Sequence, residues 1–453
     1  RSGNWKERGL NPTVSKRHQI GVTIHFAREE AHVRLLPLEK GSNYHMERVL
    51  LFNIGVLATP LGYGPKGGAA QGAIQIQRDA WVLLEGERIF QVGTGTPPDI
   101  DAERIDAEGG LVTPGLVDAH THLIFGGWRQ NELGMKLHGV PYLDILAQGG
   151  GILSTVKSTR SASEEELTEK ASLALSEMLS FGTTTCEAKS GYGLTTDEEL
   201  KQLRAIQKLQ EGHAVDVVAT FMGAHALPSE YKGNRDAYIR LLCEEMIPAV
   251  AEQKIAKFCD VFCETGVFNA QESRKILETG RKYGLTPKIH ADEIDPIGGS
   301  VLAGELGAVS AEHLIVCPPE GISSMAKGGT VACLLPATSF YLGAGFAPAR
   351  SMVEAGVPVA MASDFNPGSC PCLNMQFVIG LGCLKYKLTP EEVLTAVTLN
   401  GAAAIGMADQ IGSVEVGKLG DLVVWDAPDL DYICYRIGSN LVKKVIKRGR
   451  MVP

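Results

Sequence analysis

The chain contains no run of about 18 apolar residues, so no helix able to span a bilayer is expected and no membrane partner is implied. A basic excess is also missing. The formal net charge is −9, which argues against a nucleic-acid partner, because phosphate binding needs clustered lysine and arginine. No paired-cysteine framework is visible among the ten cysteines: Cys259/Cys263 and Cys370/Cys372 are close pairs, but neither has a second pair at zinc-ribbon spacing. Buried free thiols in a reducing compartment, the cytoplasm, are the expectation. No GxGxxG opens a helix after the first strand of the alternating region, which counts against a doubly wound nucleotide-binding sheet.

What is present describes a large globular chain. Hydrophobic residues make up 44% and charged residues 21%, and 453 residues suit one large α/β barrel plus a smaller module. Residues 1–45 differ from the rest. They carry eight Lys/Arg against four Asp/Glu and four of the eleven histidines (His18, His25, His32, His45). No apolar core with a small-residue cleavage site follows the basic residues, so they do not read as a secretory signal. They are expected to be a leader or atypical extension without a catalytic role, with Met46 as a natural start.

Residues 46–113 show short strands and turns. Ala80–Leu84 and Arg88–Val92 flank Glu85-Gly86-Glu87 as a hairpin, and 62–72 form a Gly/Ala-rich loop. A second β-rich stretch, Asp421–Trp425 and Leu441–Lys447, lies in residues 409–453. The two ends can pair into one small, β-sandwich-like domain. Between them, over 114–408, eight Val/Ile/Thr/Phe-rich runs alternate with helical segments: 116–122, 183–188, 215–225, 258–264, 286–291, 309–315, 330–335 and 357–363. The helices read as Glu164–Phe181, Thr196–Glu211, Asp236–Ala251 and Gln271–Tyr283, with Ser163 a good N-cap for the first. Eight strand–helix units predict a (β/α)8 barrel; an open doubly wound sheet is the competing architecture.

A barrel collects the C-terminal ends of its strands at one mouth, where catalysis occurs. Here those ends are polar. The run Pro114-Gly115-Leu116-Val117-Asp118-Ala119-His120-Thr121-His122 places two imidazoles at i, i+2, on one face if the strand extends that far. Taken singly, HxH is a weak signal, and any one strand-end histidine is more often a satisfied core or loop residue. Later ends supply Glu187-Ala188-Lys189-Ser190-Gly191-Tyr192-Gly193, then His225, His290-Ala291-Asp292-Glu293, Glu312-His313 and Asp364-Phe365-Asn366-Pro367-Gly368. Five of the seven histidines after Met46 fall at such ends. This assembly points to one divalent metal held by His120, His122, His290 and Asp364 with an open position for water. Nitrogen and carboxylate donors suit zinc, and iron or manganese also fit. Glu293 and Asp364 are the candidate general bases.

The His-x-His after Pro-Gly-Leu-Val-Asp, the strand-end His290 and Asp364, and the closing 411–423 segment, IGSVEVGKLGDLV, resemble the amidohydrolase superfamily. Within it, Lys189–Gly193, Ile289–Ile294 and Ser363–Gly368 resemble the imidazolonepropionase family, a likeness running from about Met46 to the C-terminus. Members join a metal-containing barrel to a small β domain built from both chain ends. The resemblance implies hydrolytic opening of the ring of 4-imidazolone-5-propanoate to N-formimidoyl-L-glutamate in L-histidine degradation. It implies Zn2+ or Fe2+/Fe3+ as the ion, a small-molecule substrate, and a homodimer.

By the same resemblance Arg129 anchors the propionate, for which a guanidinium fork is suited, and Tyr142 is a second carboxylate contact. Tyr192 touches the ring and product, His225 faces the substrate carbonyl, Asn366, Gly368 and Ser369 supply product-side contacts, and His313 orients water. Glu293 is both a substrate contact and the group that takes the proton. Asp364 returns one to the leaving nitrogen, and His225 or the ion stabilises the oxyanion. The bland alternatives are a solvated Arg129, a core-packed Tyr142 and buried thiols at Cys370 and Cys372. The fourth strand offers no lysine to bridge two metals, although Glu264 could substitute, so a single ion is expected. Other cyclic amidases or deaminases share the scaffold, as would a non-catalytic binding member, and a substrate panel separates them.

Overall fold

The computed structural model describes residues 47–139 and 150–452. Tyr142 and residues 1–45 lie outside the described residues. The chain first lays down β1 (Arg48–Pro60), β2 (Ile74–Glu85), β3 (Arg88–Thr94), β4 (Glu103–Asp106) and β5 (Leu111–Pro114). The hairpin of β2 and β3 turns at Gly86, whose φ of 59° is the left-handed value that glycine adopts without steric cost. From β5 the chain passes directly into the first barrel strand, β6 (Leu116–Asp118). Seven more follow: β7 (Thr183–Lys189), β8 (Asp216–Ala224), β9 (Phe258–Cys263), β10 (Thr286–Ala291), β11 (Ser310–His313), β12 (Val331–Leu334) and β13 (Val359–Met361). They pair in sequence order and in parallel.

The barrel closes through a bridge between Thr121 and Phe365. The Asp364 amide donates to the His120 carbonyl at 3.0 Å and the His122 amide to the Phe365 carbonyl at 2.9 Å. The architecture is therefore the expected (β/α)8 barrel, and the open-sheet alternative falls. β14 (Leu422–Trp425), β15 (Val442–Lys447) and β16 (Arg450–Val452) then return to the first sheet. β14 pairs antiparallel with β5, Leu422 opposite Pro114 and Trp425 opposite Leu111, so both chain ends build one sheet. Its core is Leu51, Leu57, Val82, Leu84, Leu422, Val424 and Ile446.

Two expectations need correction. The first barrel strand ends at Asp118, so His120 and His122 lie beyond it and are held by the closure bonds instead. The helix expected over 236–251 is α-helical at Arg235–Leu241 and Ile247–Gln253 but widens into a π-turn at Leu242–Met246. Pro248 accounts for this: its ring clashes with the carbonyl four residues back and it donates no hydrogen bond. Elsewhere local signals hold. Ser163, Asn269 and Thr389 each cap a helix reciprocally with a glutamate three residues on, each cap worth about 1 kcal/mol.

The helix Leu399–Ala404 plugs the floor of the barrel, packing with Val117, Phe258, Cys333 and Ala360. Lys257 fastens it by donating to the Gly406 carbonyl at 2.8 Å. All ten cysteines are free thiols, seven of them buried; Cys370 is buried as expected, whereas Cys372, with Cys383 and Cys434, is only half-buried.

Gly115 joins the two sheets where nothing larger fits. A Cβ there would lie 2.1 Å from Thr184 Oγ1. Gly115→Ala should cost about 1–3 kcal/mol, the range for overpacking. The check is the denaturant midpoint, with partial recovery expected in the Gly115→Ala/Thr184→Ala double variant.

Candidate active site

The strand ends bring together most of the residues singled out in the sequence. His120, His122 and Asp364 each place one donor atom within 4.8 Å of the others, and so do His120, His290 and His313. Asp364 Oδ1 is 3.5 Å from His120 Nε2 and 3.6 Å from His122 Nε2. His290 Nε2 lies 3.4 Å from His122 Nε2. Two nitrogens facing each other at that distance, with a carboxylate oxygen alongside, form a donor set without a hydrogen atom for every gap. His120 Nε2 and His122 Nδ1 are buried and have no hydrogen-bond partner. Buried polar atoms in folded proteins are nearly always satisfied, so the orphaned His120 Nε2, aimed at this cluster, fits a cation.

The electrostatics agree. Burial holds His120, His122 and His313 well below the ordinary histidine pKa, and neighbouring cationic or imidazole groups push the same way. The rings are therefore neutral, the form that ligates metal. Asp364 is raised to about 6 by burial, against the Thr338 hydroxyl that donates to its Oδ2 at 2.6 Å. Glu293 is raised to about 8, first by burial and then by Asp364 and Glu264. Its Oε1 lies 3.6 Å from His313 Nδ1. His313 and Asp364 also sit at positive φ, 68° and 57°, which non-glycine residues adopt at a cost of roughly 1–3 kcal/mol and which clusters at functional sites.

The remaining expected residues surround this cluster. The His225 ring stacks on His122 at a centroid distance of 4.8 Å, with Tyr192 at 5.2 Å from His225. His225 Nδ1 is 3.0 Å from the Gly191 carbonyl. A carbonyl only accepts, so Nδ1 carries the proton. Burial lowers the pKa of this ring to about 3, so it stays neutral and Nε2 keeps a lone pair. The expected donation from His225 to an oxyanion is corrected on this ground: its free nitrogen accepts.

Arg129 is half-buried rather than solvated. It forks onto Glu132 through Nε at 2.9 Å and Nη2 at 3.0 Å, and its Nη1 packs against Gly368, where an added Cβ would lie 2.0 Å away. Asn366 spends its amide on its own loop: Nδ2 donates to the Asp364 carbonyl, and Oδ1 accepts from the Gly368 and Ser369 amides. Ser369 Oγ lies 2.9 Å from Asn366 Nδ2. Glu264, weighed as a bridging ligand, accepts from the Thr265, Ile294 and Asp295 amides and so holds backbone. Cys370 is buried and directs its thiol to the Ser363 carbonyl.

Sequence reasoning assigned nothing to a buried charged layer below the histidines. Glu187, Lys189, Asp260, Lys288 and Glu312 are all 0% exposed. Lys189 Nζ lies 2.8 Å from Asp260 Oδ2 and from Glu187 Oε2; Lys288 Nζ lies 3.1 Å from Glu187 and 3.3 Å from Glu312. The signal was alternation: Glu187 with Lys189, Lys288 with His290 and Ser310 with Glu312 are i, i+2 pairs, each on one face of a strand. Glu132 was missed for want of any such pattern.

Without a bound cation Asp364 and Glu293, together with Asp118, which burial raises to about 7, make stability fall as pH rises. A carboxyl with a raised folded pKa binds its proton more tightly when folded. Its contribution is complete below the ordinary carboxylate range and is lost as pH climbs through about 6 for Asp364 and about 8 for Glu293. Thermal midpoints of chelated protein should decline across that window, and Glu293→Gln should flatten the upper part. A slope unchanged in the variant would place the Glu293 pKa elsewhere.

The amidohydrolase family model matches residues 111–452. Over 414 residues the chain is 52% identical to an imidazolonepropionase of Alkaliphilus metalliredigens strain QYMF, covering 90% of this chain and 98% of that protein. It is 53% identical over 407 residues to an imidazolonepropionase of Bacillus cytotoxicus, covering 89% of this chain and 96% of that one. Among solved structures, a zinc-bound adenosine deaminase from Xanthomonas campestris superposes with a TM-score of 0.65 at 20% identity, covering 89% of this chain and 92% of its own. That likeness concerns the fold alone.

Proposed function

The chain belongs to the amidohydrolase family and, within it, to the imidazolonepropionases, and from that premise we propose that it opens the ring of 4-imidazolone-5-propanoate by hydrolysis. The product is N-formimidoyl-L-glutamate, and the step belongs to L-histidine degradation. The observation that carries this reading is identity of 52% extending over 98% of a relative of that name. The geometry supports it: a buried histidine cluster, a raised carboxyl and a guanidinium fork meet at one barrel mouth.

His120, His122, His290 and Asp364 would hold one divalent ion, Zn2+ or iron, which when bound supplies Lewis acidity toward water and a carbonyl oxygen. A single ion is favoured because Glu264, the alternative bridging ligand, is engaged by the Thr265, Ile294 and Asp295 amides.

The chain's own groups then divide the work. Arg129, steadied by Glu132, receives the substrate propionate. His225 offers the Nε2 lone pair to a ring N–H and, with Tyr192, lines the ring face. Glu293, in its ionised form, takes the proton from water as the water oxygen bonds to the ring carbonyl carbon, and His313 orients the carboxylate. The ring C–N bond breaks, and its electron pair stays on nitrogen. A carboxylic acid at the mouth, Asp364 or the newly protonated Glu293, donates the proton that nitrogen takes up.

Arg129→Met should raise KM at least tenfold with kcat little changed, because it removes an anchor remote from the reacting carbon. Glu293→Gln should lower kcat by 10²-fold or more with KM held, within the general range for lost acid–base catalysis. Steady-state kinetics on the imidazolone check both. Near-normal turnover in Glu293→Gln would move the base role to Asp364.

A further inference from the structure

The charged layer under the histidines is difficult to explain as a stabilising device. Taking an ion pair out of water costs about as much as the pair regains, and apolar side chains of similar volume do as well or better. Five fully buried ionised groups in one barrel therefore call for another role. Their contacts show it. Glu312 Oε2 lies 2.8 Å from His120 Nδ1, and Asp260 Oδ1 lies 3.1 Å from His290 Nδ1. The second oxygen of each carboxylate is held from below: Glu312 Oε1 by Ser310 Oγ at 2.5 Å and Lys288 Nζ at 3.3 Å, and Asp260 Oδ2 by Lys189 Nζ at 2.8 Å. Glu187 joins the two lysines.

We propose that Asp260 and Glu312 are positioning residues of the metal site, each locking one ligand histidine in the tautomer whose Nε2 lone pair faces the ion. A carboxylate only accepts, so each Nδ1 must carry a proton, and an imidazole that ligates a metal is neutral, with only that one proton. Both Nε2 atoms are then bare. The lysines matter because they fix which oxygen faces the ring. Among the described residues His122 has no carboxylate behind it, and its Nδ1 is buried without a partner. The site thus has two ligands with fixed tautomers and one whose tautomer the cation itself must select. The inference rests on the metal reading above, with His120 and His290 as ligands.

The isosteric amides make a sharp test. In Asp260→Asn the amide oxygen turns to the Lys189 ammonium, which leaves the NH2 facing His290 Nδ1. That favours the Nε2–H tautomer, which cannot ligate. Glu312→Gln does the same to His120 through Lys288 and Ser310. Competition of chelated full-length protein with a chromophoric chelator for Zn2+ should show affinity lowered 10- to 100-fold in each variant, the usual effect of removing such partners. Thr220→Val, which loses a hydroxyl bond to Glu187 but touches no histidine, should retain the parent affinity. Unfolding midpoints of the metal-free proteins separate lost affinity from lost fold.

A measurement without variants keeps the proposal open to refutation if these chains do not fold. Long-range 15N NMR of histidine-labelled, metal-free protein should show His120 and His290 protonated at Nδ1. Parent-like zinc affinity in both variants, or Nε2–H tautomers at His120 and His290, would overturn the proposal. Failure of the unmodified protein to bind Zn2+ or Fe2+ at all would instead remove the metal reading on which it rests.

Discussion

The site depends on the seam where the barrel closes. β6 and β13 lie more than two hundred residues apart in the chain, and the bonds between His120 and Asp364 and between His122 and Phe365 are what join them. Asp118 adds to the seam from below, accepting from the Ser363 amide at 2.9 Å and from its hydroxyl at 2.5 Å. Three of the four proposed ligands sit on this seam, so the geometry of closure is also the geometry of the donor set. Positive φ at Asp364 is part of the same turn, which aims the carboxylate back across the mouth.

A second constraint follows from burial. Parallel strands covered by helices have no wet face, so every charge placed inside must find a partner inside. The chain meets that demand with two lysines and several acids arranged in one layer, and the histidines stand on it. The floor is sealed by an apolar helix from Leu399 to Ala404. The mouth is finished by loops whose side chains hold loop backbone, Asn366 its own and Glu264 that of Ile294 and Asp295. Glu199 likewise accepts from the Gly191, Gly193 and Leu194 amides and so presents Tyr192.

Much of this was legible in the sequence because it depends on period and spacing. Strand–helix alternation gave eight units, and all eight strands lie within the expected windows to within a residue or two. The pairing of both ends was legible because each end carries β-rich apolar runs, and β14 lies between β15 and β5 in one sheet. The polar strand ends exposed the site because five of the seven histidines after Met46 fall at them together, although any one alone is more often a satisfied core or loop residue. Less visible were features set by tertiary distance. The tautomer of His225 depends on the Gly191 carbonyl, 34 residues away, and no spacing encodes it. Asp260 is a single acid in an apolar run and names its partner only once Lys189 is beside it. Arg129 could be placed near the mouth, but its fork onto Glu132 is a local turn contact that other i, i+3 pairs share in sequence without making.

The central claim is that one divalent ion and this mouth open an imidazolone ring. Its most direct test is turnover of 4-imidazolone-5-propanoate, followed by loss of its absorbance, as chelated protein is titrated with Zn2+ or Fe2+ while bound metal is counted. The account predicts no turnover in the chelated protein and activity rising linearly to a plateau at one ion per chain. Full activity after chelation, a plateau at two ions, or saturated metal without ring opening would contradict it.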